Sequence, residues 1–172
     1  ARLEGDRSRP RTVPVDMAAF VAELRGAFVD DCAARGVALH ASGPDGPITV
    51  SADPHLLRQL GHNLIGNALR HTPSGGIIHI GLEATPDTVV LRVVDNGAGL
   101  PPEALPHVFE RYFRATPVSG AVPGSGLGLT LVKRIVDAHG WHVGLRSAEG
   151  SGTDIWVTLR AEPDHRRPYE AL

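Results

Sequence analysis

The 172-residue chain suits one compact α/β domain and leaves little room for a second. Its 42% hydrophobic content can fill an ordinary core. With 17 Lys+Arg against 19 Asp+Glu the formal charge is −2, which argues against nucleic acid as a partner, because phosphate-backbone binding wants a basic excess.

Residues 1–14 are charged and proline-containing and read as a linker, with Arg2, Arg7, Arg9 and Arg11 in place of any apolar signal core. Phe20, Val21, Leu24 and Phe28 predict a helix over 16–34, capped by Asp16 and stopped by Gly36. Short strands are expected at 37–40 and 48–51, either side of the turn made by Pro44, Gly46 and Pro47. The clearest helix follows over 54–71. Asp53 stands at its N-cap, Pro54 at its first position, and Leu57, Leu60, Leu64, Ala68 and Leu69 repeat at helical spacing. A hairpin is predicted from strands 77–83 and 88–95. The stretch 97–125 is irregular, with short helical pieces at 102–105 and 106–109, and segments of that length are often functional lids. A third helix is expected over 126–139, then a hairpin of strands 141–147 and 153–159, then a polar tail over 161–172. Helix, strands, helix, hairpin, lid, helix, hairpin suits a two-layer α/β sandwich: a mixed sheet of about five strands with three helices on one face.

Four patches could carry chemistry. Asn63, Asn67 and Arg70 share one face of the second helix, where a carboxamide oxygen can ligate magnesium or simply meet water. Asp95, at a strand end before Gly97 and Gly99, can accept a hydrogen bond from an exocyclic amine, and the glycines allow close backbone approach. An ordinary turn is the alternative. Gly124, Gly126, Leu127 and Gly128 open the third helix, whose free N–H groups would form an anion site, a glycine hinge being the plainer reading. This is neither a P-loop nor a dinucleotide fingerprint. Gly150, Ser151, Gly152 and Thr153 read as a hairpin turn, from which Thr153 could add a hydroxyl to a pocket containing Asp95. Arg111 and Arg114 are the only Lys or Arg residues in 97–125, and so are the candidates to meet a terminal phosphate.

Taken together, Asn63-Leu64-x-x-Asn67-Ala68, Asp95-x-Gly97-x-Gly99, Phe109-Glu110-Arg111-Tyr112-Phe113-Arg114, Gly124-x-Gly126-Leu127-Gly128-Leu129 and Gly150-x-Gly152-Thr153 resemble the N, G1, F, G2 and G3 boxes of sensor histidine kinase ATPase domains, in order. The resemblance covers residues 15–160 and implies a Bergerat (GHKL) sandwich that binds ATP and Mg2+. It implies adenine recognition by Asp95 with Thr153 nearby, magnesium ligation by Asn67, and support of the phosphates or metal by Asn63. Arg70 would be a phosphate-binding cation where the family more often has lysine. His71 would lie near the nucleotide, and Gly126 and Gly128 would offer N–H groups to phosphate beneath a lid over 109–123.

The partners it implies are a dimerisation and phosphoacceptor helical domain of the same protein, and a response regulator. None of the nine histidines precedes Glu or Asp, as a phosphoacceptor histidine would. Leu3-Glu4-Gly5 resembles the end of that domain's second helix. The expectation is a monomeric, cytoplasmic fragment of a homodimeric parent, compatible with an inner-membrane sensor, that binds ATP without phosphorylating itself. GHKL relatives that hydrolyse ATP generally carry glutamate at the position of Asn63. A water nucleophile needs such a base and a neutral imidazole does not, so Asn63 favours transfer to histidine. An anti-sigma-factor-type kinase or nucleotide-binding module is the alternative function, and a degenerate dimerisation partner a more distant one. Cys32, the only cysteine, leaves no intrachain disulfide and fits a reducing compartment.

Overall fold

The computed structural model describes residues 9–111 and 128–162. Arg114, Gly124, Gly126, Leu127, the Leu3-Glu4-Gly5 segment and the tail from 163 onward lie outside the described residues, as does most of the expected lid.

The elements follow in the order β1 (Val13–Asp16), α1 (Met17–Ala34), β2 (Ala38–Ser42), β3 (Thr49–Ala52), α2 (Pro54–His71), β4 (Ile77–Ala84), β5 (Thr88–Asp95), a 3-10 helix (Pro102–His107), α3 (Gly128–His139), β6 (His142–Ala148) and β7 (Gly152–Arg160). A five-stranded sheet runs β2-β4-β5-β7-β6, parallel only between β2 and β4. Side chains alternate across a strand, and in β5 this buries Val89, Leu91, Val93 and Asp95 while their neighbours stay half-exposed. One sheet face is therefore covered by the helices, as expected for a two-layer sandwich.

Helix α2 shows how local sequence dictates position. The Asp53 carboxylate accepts hydrogen bonds from His55 N at 3.0 Å and Leu56 N at 3.2 Å, satisfying N–H groups that the first turn leaves without helical partners. Its apolar stripe (Leu57, Leu60, Leu64, Ile65, Ala68, Leu69) is buried, each large side chain contributing about 1.5–3 kcal/mol. Gly61 lets α1 come close: a Cβ there would stand 2.9 Å from Phe20 Cζ. The polar face of α2 is consequently held at a fixed height above the sheet.

Three expectations are corrected. Val13 and Pro14, read as linker, belong to β1, which pairs antiparallel with β3 in a separate two-stranded sheet. Ala161, read as the start of the tail, is buried and bridges Val50, and Glu162 N donates to Thr49 O at 3.1 Å. The two helical pieces expected at 102–109 form one 3-10 helix. Periodicity could not reveal the first two, because each depends on a partner distant in sequence.

Candidate functional site

Asp95 ends β5 with its side chain on the buried face, 6% exposed. Burial pushes its carboxyl pKa up, while backbone hydrogen bonds from Gly97 (2.9 Å) and Thr153 pull the other way without cancelling the rise. No ion pair reaches it among the described residues. A carboxylate held like this keeps oxygen lone pairs available to a donor that enters the site.

The loop after Asp95 is clamped on both sides. On one side, Ala98 N donates to His71 O at 3.1 Å, and a Cβ on Gly97 would collide with that same carbonyl oxygen. On the other, Gly150 N donates to Ala98 O at 2.8 Å. Gly99 (φ 68°) and Gly152 (φ 82°) both occupy the left-handed region. Any Cβ on them would strike the Ala148 and Asp95 carbonyl oxygens respectively. The turn at 150–153 is thus docked against the Asp95 loop rather than standing free.

Helix α2 supplies the other wall. Asn63 Nδ2 donates to Gln59 O at 2.7 Å, so its carboxamide oxygen points away from its own helix. A Cβ built on Gly128 would lie 3.2 Å from Asn63 Oδ1 and 3.6 Å from Arg70 Nη2, which puts the first described turn of α3 opposite these two side chains. Asn67 is half-buried one turn after Asn63. From Asn63 to His71 the helix rises about 12 Å. One end of that span meets α3, and the other meets the Asp95 loop.

Arg70 is half-buried, and burial first, then the Arg35 charge, draw its pKa below the ordinary arginine value. Among the described residues no carboxylate pairs with it. Such a cation is poised for an anion. His71 has a lowered pKa, from desolvation first and from the Arg70 charge second. Arg111 stands exposed on the turn after the 3-10 helix, and no described contact brings it to these groups.

Among the described residues no group of three His, Cys, Asp or Glu side chains could hold a metal. The available donors are neutral carboxamide oxygens, which fit a hard ion taking its remaining ligands from phosphate and water.

Sequence reasoning missed Ser147 and Asn96. Ser147 Oγ accepts from Leu100 N at 2.8 Å, donates to Gly152 O at 2.9 Å and touches Thr153 Oγ1 at 2.9 Å. Asn96 Oδ1 accepts from Ile77 N at 2.8 Å, pinning the far side of the Asp95 loop. Neither residue carries a local signal, since each matters only through a neighbouring strand.

No helix among the described residues is long and apolar enough to cross a membrane. The family model described as histidine kinase-, DNA gyrase B- and HSP90-like ATPase matches residues 52–163. The chain is 36% identical over 170 residues to the sensor protein kinase PmrB of Pseudomonas aeruginosa, spanning 98% of this chain but only 35% of that relative. Among solved structures, a mycobacterial sensor histidine kinase MprB superimposes with a TM-score of 0.77 at 29% identity, covering 88% of this chain and 99% of that one. ShkA, solved full-length in complex with AMPPNP, gives 0.79 at 25% identity over 91% of this chain and 32% of that one. PmrB is named a sensor protein kinase and MprB a sensor histidine kinase, which favours that reading over an anti-sigma module. With that match across most of its described core, the chain belongs to the histidine kinase-, DNA gyrase B- and HSP90-like ATPases, as a catalytic ATP-binding domain of the sensor histidine kinase type.

Proposed function

We propose that this domain binds ATP with Mg2+ and donates the γ-phosphoryl group to a histidine on a separate helical dimerisation domain of the same protein, from which a response regulator then receives it. The observation that carries this reading is the span of α2: the Asn63 and Arg70 side chains reach the start of α3, and the His71 carbonyl meets the Asp95 loop, with Asn67 one turn after Asn63 on the same helix. The adenine amine would sit on Asp95 beside Thr153 and the phosphates near Gly128, with Asn63, Asn67 and Arg70 along the path. His71 would flank the nucleotide. Gly97 and Gly99 shape the base end, while Gly124, Gly126, Leu127, Arg111 and Arg114 are assigned to the phosphate end from sequence.

Each residue has a definable task. The carboxamide oxygen of Asn67 would hold magnesium, which when bound neutralises phosphate charge, and Asn63 would support the phosphates or the metal. Arg70, a half-buried cation with no described acidic partner, would steady the charge that builds on the transferring phosphoryl. Asn63 cannot take a proton from water. It suits an imidazole nucleophile, which brings its own lone pair, and leaves in-line placement as the main source of rate. The AMPPNP bound to ShkA, at 25% identity, supports an adenine nucleotide here.

We further assign Val13 to Glu162 to this one domain, in a homodimeric parent whose catalytic part meets cytoplasmic ATP. The test mixes the chain with γ-labelled ATP and Mg2+, with and without the parent's helical domain. Phosphohistidine should form on the helical domain and not on this chain. Label on a histidine of this chain alone, or rapid release of phosphate without transfer, would overturn the reading.

A further inference from the structure

We propose that Ser147 is a positioning residue that fixes the proton of the Thr153 hydroxyl, so that Thr153 offers only lone pairs to the base held at Asp95. This rests on the reading of Asp95 as the adenine-binding carboxylate.

Asp95, Thr153 and Ser147 form one row across three strands: Asp95 pairs with Thr153 between β5 and β7, and Thr153 with Ser147 between β7 and β6. Directly paired residues carry their side chains on the same face of a sheet. A serine hydroxyl has one proton to give and two lone pairs to receive with. At Ser147 all three are used. The Leu100 N–H can only donate, and it occupies one lone pair at 2.8 Å. The Gly152 carbonyl oxygen can only accept, and it takes the proton at 2.9 Å. The third contact, with Thr153 Oγ1 at 2.9 Å, then needs the proton of Thr153. The reverse assignment would leave the Ser147 and Gly152 oxygens in contact at 2.9 Å without a hydrogen between them.

Thr153, with its proton turned toward Ser147, has only lone pairs left to offer beside Asp95. Beside the Asp95 carboxylate this makes a pair of acceptors, reached directly or through one water. Such a pair suits a purine whose six-position carries an amine and opposes one that carries a carbonyl. Specificity of this kind depends on which way one half-buried hydroxyl points, because a mismatched polar pair leaves both groups unsatisfied.

The test titrates ADP and IDP into the wild-type chain and into Ser147→Ala, Thr153→Val and the double variant, in the presence of Mg2+. Wild type should prefer ADP. In Ser147→Ala the Thr153 hydroxyl is free to rotate and donate to the inosine carbonyl, so the ADP:IDP affinity ratio should fall by about tenfold. In the Thr153→Val background the Ser147→Ala change should leave the ratio unmoved, since its effect runs through that hydroxyl. A Ser147→Ala chain that weakens ADP and IDP by one common factor would show a purely structural serine and overturn the proposal while sparing the Asp95 reading. A wild-type chain indifferent to the base would overturn both.

Discussion

Replacing Asp95 with Asn separates binding from folding in a way few substitutions can. The carboxylate is 6% exposed, and burial raises its pKa against the pull of two backbone hydrogen bonds. The folded state therefore holds the Asp95 proton more tightly than the unfolded chain, whose value is near the ordinary 3.8. Ionised Asp95 works against folding at neutral pH, and this penalty fades as pH falls through the raised folded pKa toward 3.8. Asn keeps the shape and can still accept from Gly97 N, but carries no charge. Without nucleotide, Asp95→Asn should be at least as stable as wild type at pH 7, and wild type should gain on it as pH is lowered. Binding should move the opposite way. A hydrogen bond to a charged acceptor is worth about 1.5–3 kcal/mol, so losing it should raise the Kd for ADP by about 10- to 150-fold. Calorimetric titration with ADP and urea unfolding between pH 4 and 8 read the two effects. An ADP affinity within about threefold of wild type, or a variant less stable by more than about 1 kcal/mol at pH 7, would refute the reasoning.

Three further outcomes are expected. Gly152→Ala should lose about 2–6 kcal/mol in urea unfolding, from left-handed strain plus collision with the Asp95 carbonyl, whereas Gly150→Ala, with open space around its Cβ, should lose only about 1–2 kcal/mol. Asp53→Ala should cost about 1 kcal/mol at pH 7 by uncapping α2. Burial alone would raise the Asp53 pKa, but backbone N–H bonds from Arg11, Leu56 and His55, with the His139 charge, bring it below 3.8; its contribution is therefore present above 3.8 and should vanish as acid unfolding is carried below the lowered value. Asn67→Ala should weaken ATP binding by about tenfold with Mg2+ present and by less than about threefold when EDTA is added, as read by titration in both buffers.

Helix α2 was readable from sequence almost to the residue, because its cap, its proline and its apolar period are all local. The β4–β5 hairpin was readable for the same reason. Strand β1 was not: Val13–Asp16 is mostly exposed, and it is a strand only because β3 lies beside it. At the site, sequence named the residues at both ends of α2. It read the turn at 150–153 as an ordinary one, although Gly152 is required by the Asp95 carbonyl pressed against it, a constraint that exists only once β5 and β7 are paired. Ser147 was invisible for a related reason, its three contacts all lying across strands or loops. Arg111, singled out by charge, is exposed in the described structure, and charge alone could not indicate where it would point.

The small sheet of β1 and β3 creates a load path. Backbone pairing fastens Val13–Asp16 to Thr49–Ala52, and Arg11 N adds a hydrogen bond to Asp53 Oδ2 at 2.9 Å. The same Asp53 anchors the first turn of α2. A pull or twist delivered through residues 11–16 would be received at the root of the helix bearing Asn63, Asn67 and Arg70, with no loop between to absorb it. Residues 11–16 and the helix carrying those three side chains thus share one anchor, Asp53, reached through strand pairing and a helix cap.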